Sequence, residues 1–182
     1  MRHDGDETLV ARARRGDETA FARLVERHYR LIFRIAWRWS RDRSDAEDIA
    51  QDVCVKLARA IASFRGEAAF STWLTRLTIN AAKDLVGARA RRERDVAALA
   101  LVPDDRPACE TTAEAERESS ALWRAVDALP ARQRDAMLLV YAEGMKHADA
   151  ARVLGCREST LSWHVHQARK TLQRRLRDER DE

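Results

Sequence analysis

Apolar residues recur at steps of three and four through most of the chain. Alternation at steps of two, the mark of a half-buried strand, is absent. Phe21, Leu24, Val25, His28, Ile32, Ile35, Ala36 and Trp39 form the first stripe, and Asp17, after Gly16, is placed to cap its start. Ser44-Asp45-Ala46-Glu47 has the spacing of a capping box, so a second helix is expected to begin there. Its inward positions are Ala46, Ile49, Ala50, Val53, Leu57 and Ile61. A third stripe follows the segment 64–69: Phe70, Trp73, Leu74, Leu77, Ala81 and Leu85. It ends in the basic run Arg89, Arg91, Arg92 and Arg94. Beyond residue 120, Trp123, Val126 and Leu129 predict a short helix. Pro130 suits the first position of the next one, whose apolar side is Met137, Leu138, Val140 and Tyr141 and which Gly144 ends. Two further helices are expected at about His147–Leu154 and about Glu158–Leu176.

Composition supports a helical reading. The 182 residues include only 6 Gly and 3 Pro, and no Pro precedes Pro103. Hydrophobic residues at 45% allow a packed core, and charged residues at 35% argue against a membrane protein. No apolar run approaches the roughly 20 residues of a membrane span, and the charged start carries no secretory signal. Cys54, Cys109 and Cys156 lie far apart with no CxxC, which fits a reducing cytoplasm rather than a disulfide scaffold or zinc ribbon. The expected fold class is all-α: two small helical domains, about 10–94 and 121–177, joined by an acidic linker at about 95–120. Net charge follows the same division, at +6 for residues 1–94, −5 for 95–120 and +3 for 121–182. Basic domains suit a polyanion such as nucleic acid, although Arg-rich solvated helix faces give the same count.

The strongest local signal lies in the last sixty residues. Ala151, Gly155 and Leu161 stand four and six apart, the spacing of a helix-turn-helix. The small residue admits a close approach, Gly155 takes the left-handed turn, and Leu161 anchors the second helix. With Val165, Ala168, Leu172 and Leu176 inward, Ser162, Trp163, His166, Gln167, Arg169 and Lys170 face outward, a set suited to the major groove. In the third helix Arg76, Asn80, Lys83 and Gly87 share a face beside the apolar stripe. Asn can bond a base edge and Arg or Lys a phosphate. Phe64, Phe70 and Trp73 nearby suit single-stranded DNA; Phe70 and Trp73 also match the core period, and Phe64 is less explained by packing. His164 and His166, two apart, diverge on a helix and make a poor metal pair. No nucleophile, phosphate loop, metal set or cofactor motif stands out, and catalysis by the chain itself is not expected.

These residues resemble the extracytoplasmic-function group of bacterial RNA polymerase sigma factors. The segment 44–53, Ser44-Asp45-Ala46-Glu47-Asp48-Ile49-Ala50-Gln51-Asp52-Val53, is similar to that family's polymerase-binding helix. Ser63-Phe64-Arg65-Gly66-Glu67-Ala68-Ala69-Phe70 through Leu74, with Ile79-Asn80-Ala81-Ala82-Lys83-Asp84, is similar to its promoter-melting loop and helix. Leu129-Pro130-Ala131-Arg132-Gln133-Arg134 and the helix-turn-helix through Lys170 are similar to its C-terminal domain. The resemblance covers about 15–94 and 121–176. It implies that Asp45, Asp48, Gln51 and Asp52 meet core RNA polymerase. It implies that Phe64, Arg65, Gly66, Glu67 and Ala68 hold a base flipped from the minus-ten element, with Asn80 beside it and Arg76 and Lys83 on the strand. It also implies that Ser159, Thr160, Ser162, Trp163, His166, Gln167, Arg169 and Lys170 read the minus-thirty-five element. Promoter DNA and an anti-sigma factor would be the other partners. The chain departs from the pattern at three places: Cys54 replaces an aromatic, Arg157 a small polar residue, and Ser162-Trp163-His164 a basic stretch.

A second reading is a sigma-like decoy that sequesters an anti-sigma factor without binding promoter DNA. Such decoys usually accompany a phosphoreceiver domain, for which 182 residues leave no room. A third is a helix-turn-helix regulator with a sensing domain, but the first domain shows no ligand-pocket signature.

Overall fold

A computed structural model of the chain describes residues 5–99 and 122–178. The chain divides into two compact units, Met1–Val102 and Pro103–Glu182. The described residues are helical, with no strand among them.

In the first unit, α1 (Asp6–Ala13), α2 (Glu18–Ser40), α3 (Arg43–Ala60) and α4 (Phe70–Leu99) pack together, and a short 3-10 turn at Ile61–Ser63 leads into the loop before α4. Helix α2 is the centre, in contact with α1, α3 and α4. Its buried positions Leu24, His28, Ile32, Ile35, Ala36 and Trp39 are those of the periodic stripe, while Phe21 and Val25 are half-buried. Asp17 caps α2 by accepting from the Ala20 N–H at 2.9 Å. The inward face of α3 follows the periodicity throughout. Helix α4 buries Phe70, Leu74 and Ala81 of its expected stripe but leaves Trp73, Leu77 and Leu85 half-buried, and Ile79, Ala82, Thr72, Thr75 and Thr78 are inside as well. Thr75 and Thr78 hydroxyls donate to the Ser71 and Leu74 carbonyls one turn back, so their polarity is satisfied within the helix.

One expectation requires correction here, and two helices run past the expected boundaries. Helix α3 begins at Arg43, and its cap is Asp42, which accepts from the Asp45 N–H at 2.9 Å; Ser44 lies inside the helix. An eight-residue helix, α1, starts at Asp6, ahead of the expected domain start at about 10, and buries Leu9, Val10 and Ala13. Helix α4 continues to Leu99, past the expected boundary at 94, and the rest of the acidic linker lies outside the described residues.

In the second unit, residues 122–127 form α5, followed by α6 (Ala131–Met137), a π-helical turn at Leu138–Ala142, α7 (His147–Leu154) and α8 (Glu158–Asp178). Pro130 stands one position before α6, as its N-cap. The π turn shifts the register of the expected apolar face: Leu138 and Leu139 are buried, and Tyr141 is turned outward. Helices α6 and α7 both pack on α8. Gly155 ends α7 at φ +63°, a left-handed conformation in which a side chain is strained. The Cys156 N–H then reaches back to the Ala151 carbonyl at 3.0 Å, closing the turn. Leu161, Val165, Ala168 and Leu172 are buried, and Leu176 is half-buried.

The cap of α3 is directly testable. Asp42→Ala should cost about 1 kcal/mol of stability, read as a lower denaturation midpoint for the full chain. Ser44→Ala, which a capping box at 44 would make comparably costly, should change it by less than about 0.5 kcal/mol.

Candidate functional site

Three surfaces carry the candidate residues. The first is the outward face of α3. Asp48, Gln51 and Asp52 are exposed, and Asp48 and Gln51 stand three apart on one side. Asp52 pairs with Lys56 one turn on, at 2.7 Å. Asp45 is placed differently. Its side chain is 16% exposed and accepts from Arg89 of α4 at 2.8 Å, so it ties α3 to α4. Cys54 is half-buried, and burial pushes its thiol up, which keeps it protonated and a poor nucleophile or metal ligand.

The second surface is the loop before α4 with the outward side of that helix. Arg76, Asn80 and Lys83 are exposed, at steps of four and three along α4. Arg65 and Glu67 are highly exposed, Ala68 is half-buried, and Gly66 holds the loop's bend at φ +74°. Phe64 stands apart from this set, at 8% exposure. Its ring meets Phe70 edge-on at 5.7 Å and Trp73 at 5.2 Å, so it fastens the loop to α4. The cluster extends to His28 of α2, whose ring lies 5.2 Å from Phe70.

A cavity of about 410 Å³ opens beside this loop. One wall is Phe64–Gly66 and Ala68–Ser71; the other is α1, through Asp6, Glu7, Val10, Ala11 and Arg14. Asn80 is not in the lining. Helix α1 is held in place by Asp6, which accepts from Arg27 at 2.7 Å and pairs with His28 Nε2 at 2.9 Å. Partial burial pushes the Asp6 carboxyl up, but hydrogen bonds and charge from Arg27 and His28 outweigh it and hold the group below its ordinary value. A depressed carboxyl contributes stability at neutral pH and loses it only as pH falls through the lowered value. The contribution of α1 to the cavity wall was not legible from the stripes, because its charged, eight-residue segment shows only Leu9, Val10 and Ala13 inward.

The third surface is α8. Ser159, Thr160, Trp163, His166, Arg169 and Lys170 are exposed, whereas Ser162 and Gln167 are half-buried. Ser162 Oγ lies 2.9 Å from His147 Nδ1, linking α8 to the start of α7. Trp163 is 55% exposed, an unusual extent for so large an apolar ring, and it meets His164 edge-on at 5.0 Å. Among the described residues no cluster of His, Cys, Asp and Glu could hold a metal ion, and no helix is long and apolar enough to cross a membrane.

Two family models match the chain in this order: sigma-70 region 2 over residues 24–92 and sigma-70 region 4 over residues 119–172. The chain is 38% identical to the ECF RNA polymerase sigma factor SigM of Mycobacterium tuberculosis, over 96% of its own length and 87% of that protein. It belongs to the extracytoplasmic-function sigma factors. It is also 31% identical to the RNA polymerase sigma-H factor of Pseudomonas aeruginosa, over 97% of this chain and 96% of the other. Among solved structures, the sigma factor resembles CnrH in complex with the cytosolic domain of CnrY, with a TM-score of 0.72 and 26% identity over 96% of this chain and 99% of that one. It also resembles RpoE of Bartonella quintana in complex with the anti-sigma factor NepR, with a TM-score of 0.67 and 25% identity over 86% and 96%. The first unit of the sigma factor is therefore its region 2 domain and the second its region 4 domain.

Two measurements follow from this geometry. The Asp45–Arg89 pair is partly exposed, so a double-mutant cycle with Asp45→Ala and Arg89→Ala should give a coupling of about 0.5–1 kcal/mol; strictly additive effects would show that the contact contributes nothing. In acid titration, the docking of α1 should be strongest above the ordinary carboxylate range and be lost as pH falls from there through the lowered Asp6 value. A fluorophore on α1 that reports release at the ordinary value would contradict the Asp6 arrangement.

Proposed function

We propose that this sigma factor binds core RNA polymerase through the outward face of α3, opens the promoter with the loop at 64–69 and α4, and reads the upstream element with α8. The observation that carries this is the matching of both sigma regions, in order, on a chain most of whose candidate residues lie on outward faces. Asp48, Gln51 and Asp52 offer acceptors and negative charge on a rigid helix, the kind of patch that fixes register against a basic partner surface. Asp45 acts on this interface through α4 rather than by contact, because Arg89 already occupies its carboxylate.

Melting divides between two parts. The loop and its cavity receive an extruded base, repaying the few kcal/mol that unstacking costs. Arg76, Asn80 and Lys83 follow the strand along α4, with Arg and Lys on phosphates and Asn80 on a base edge outside the cavity. Phe64 supports the loop from beneath and does not stack on a base. On α8, Ser159 and Thr160 begin the contact, and Ser162, Trp163, His166 and Gln167 face the groove. Arg169 and Lys170 meet phosphates. The chain acts on polymerase in the cytoplasm, without catalysis of its own, and an anti-sigma factor withholds it from polymerase, as the complexes of its structural relatives suggest.

Asp48→Ala with Gln51→Ala should weaken co-purification with core polymerase while leaving the thermal midpoint unchanged; undiminished co-purification would remove α3 from the interface. Across a panel of minus-thirty-five variants, His166→Ala or Gln167→Ala should relax preference at particular positions, each contact carrying about 1–3 kcal/mol of discrimination. Arg169→Ala should weaken all promoters alike and reduce the salt dependence. The reverse pattern would exchange the two assignments. Asn80→Ala should leave closed complexes intact and lower permanganate reactivity in the bubble; equal reactivity would exclude Asn80 from melting.

A further inference from the structure

Helix α1 forms a complete wall of the cavity beside the loop, and its chemistry differs from the loop's. Ala11 of α1, with Ala68 and Ala69 of the loop, supplies apolar surface for a flat ring. Glu7 is exposed and lines the same space. Asp6, next to it, is committed to Arg27 and His28, so Glu7 is the carboxylate available to an occupant. Arg14 and Arg65 also line the cavity. Resting on the reading that this loop receives an extruded base, we propose that α1 selects which base enters. Glu7 accepts a hydrogen bond from an exocyclic amino group, while Arg14 and Arg65 take the flanking phosphates.

The chemistry narrows the occupant. A carboxylate only accepts hydrogen bonds, so it favours an amino edge and opposes a carbonyl edge. It repels a phosphate, which places the base rather than the backbone against Glu7 and leaves the phosphates to Arg14 and Arg65. Thymine presents two carbonyl oxygens about a single ring N–H and no amino group, and it is the base this wall disfavours. The wall is rigid enough to discriminate. Leu9, Val10 and Ala13 are buried, Asp6 is pinned to α2, and Arg12 pairs with Asp17 at 2.8 Å across the turn that follows. A volume of about 410 Å³ leaves room for a purine or a pyrimidine, so selection rests on the edge of the base and not on its size.

The test uses the full chain with core polymerase and single-stranded oligonucleotides carrying the minus-ten sequence mapped from its own transcripts. At each position cytosine is exchanged for uracil, or adenine for hypoxanthine, changes that convert an amino group to a carbonyl. A neighbouring 2-aminopurine reports extrusion. At one extruded position the wild type should prefer the amino member by about tenfold. Glu7→Gln, whose amide both donates and accepts, should bind the two members equally. Arg65→Ala should weaken both members alike. If extrusion occurs but Glu7→Gln keeps the wild-type preference, α1 does not select the base, and the loop reading stands. If no position is extruded, the loop reading fails and the role of α1 falls with it.

Discussion

His28 lies where α1, α2 and α4 meet, and the candidate promoter-melting surface depends on what it touches. Its Nε2 holds Asp6 of α1, and its ring faces Phe70 of α4, which in turn meets Phe64 and Trp73. A single buried side chain thus connects the helix that forms one wall of the cavity to the aromatic cluster that anchors the other. Removing it would leave the Asp6 carboxylate partly desolvated with one partner fewer and would open space beneath the loop. A pocket that extrudes a base gains from this arrangement, because binding energy is not spent on ordering its walls.

Much of the fold was legible because it is written in local periods. The stripes of α2 and α3, the Asp17 cap and the Ala151–Gly155–Leu161 turn all depend on residues a few positions apart. Elsewhere competing local chemistry won. Asp42 took the cap from Ser44, since it lies where the chain is still extended before the helix. Threonines entered the core of α4 because back-bonding hides their hydroxyls from any hydropathy pattern. The π turn at Leu138–Ala142 moved Tyr141 outward by adding a residue to one turn, which a fixed period of 3.6 does not capture.

The site was legible where exposure follows from helix spacing, as for Asp48 and Gln51 on α3 and for Arg76 and Asn80 on α4. It was obscured where distant residues decide. Asp45 is claimed by Arg89, 44 positions away, and Phe64 by rings on the next helix. Helix α1, short and charged, gains its meaning only from the cavity it closes. Residue type alone separates none of these cases; the partner across the fold does.

Promoter choice by RNA polymerase should depend on this chain. The most direct measurement combines purified core polymerase, the purified chain and fragmented genomic DNA from the source bacterium, and maps transcript starts. A discrete set of starts should appear only when the chain is present and share one pair of upstream elements. Tight capture of an anti-sigma factor with no such starts would contradict it and identify the chain as a decoy.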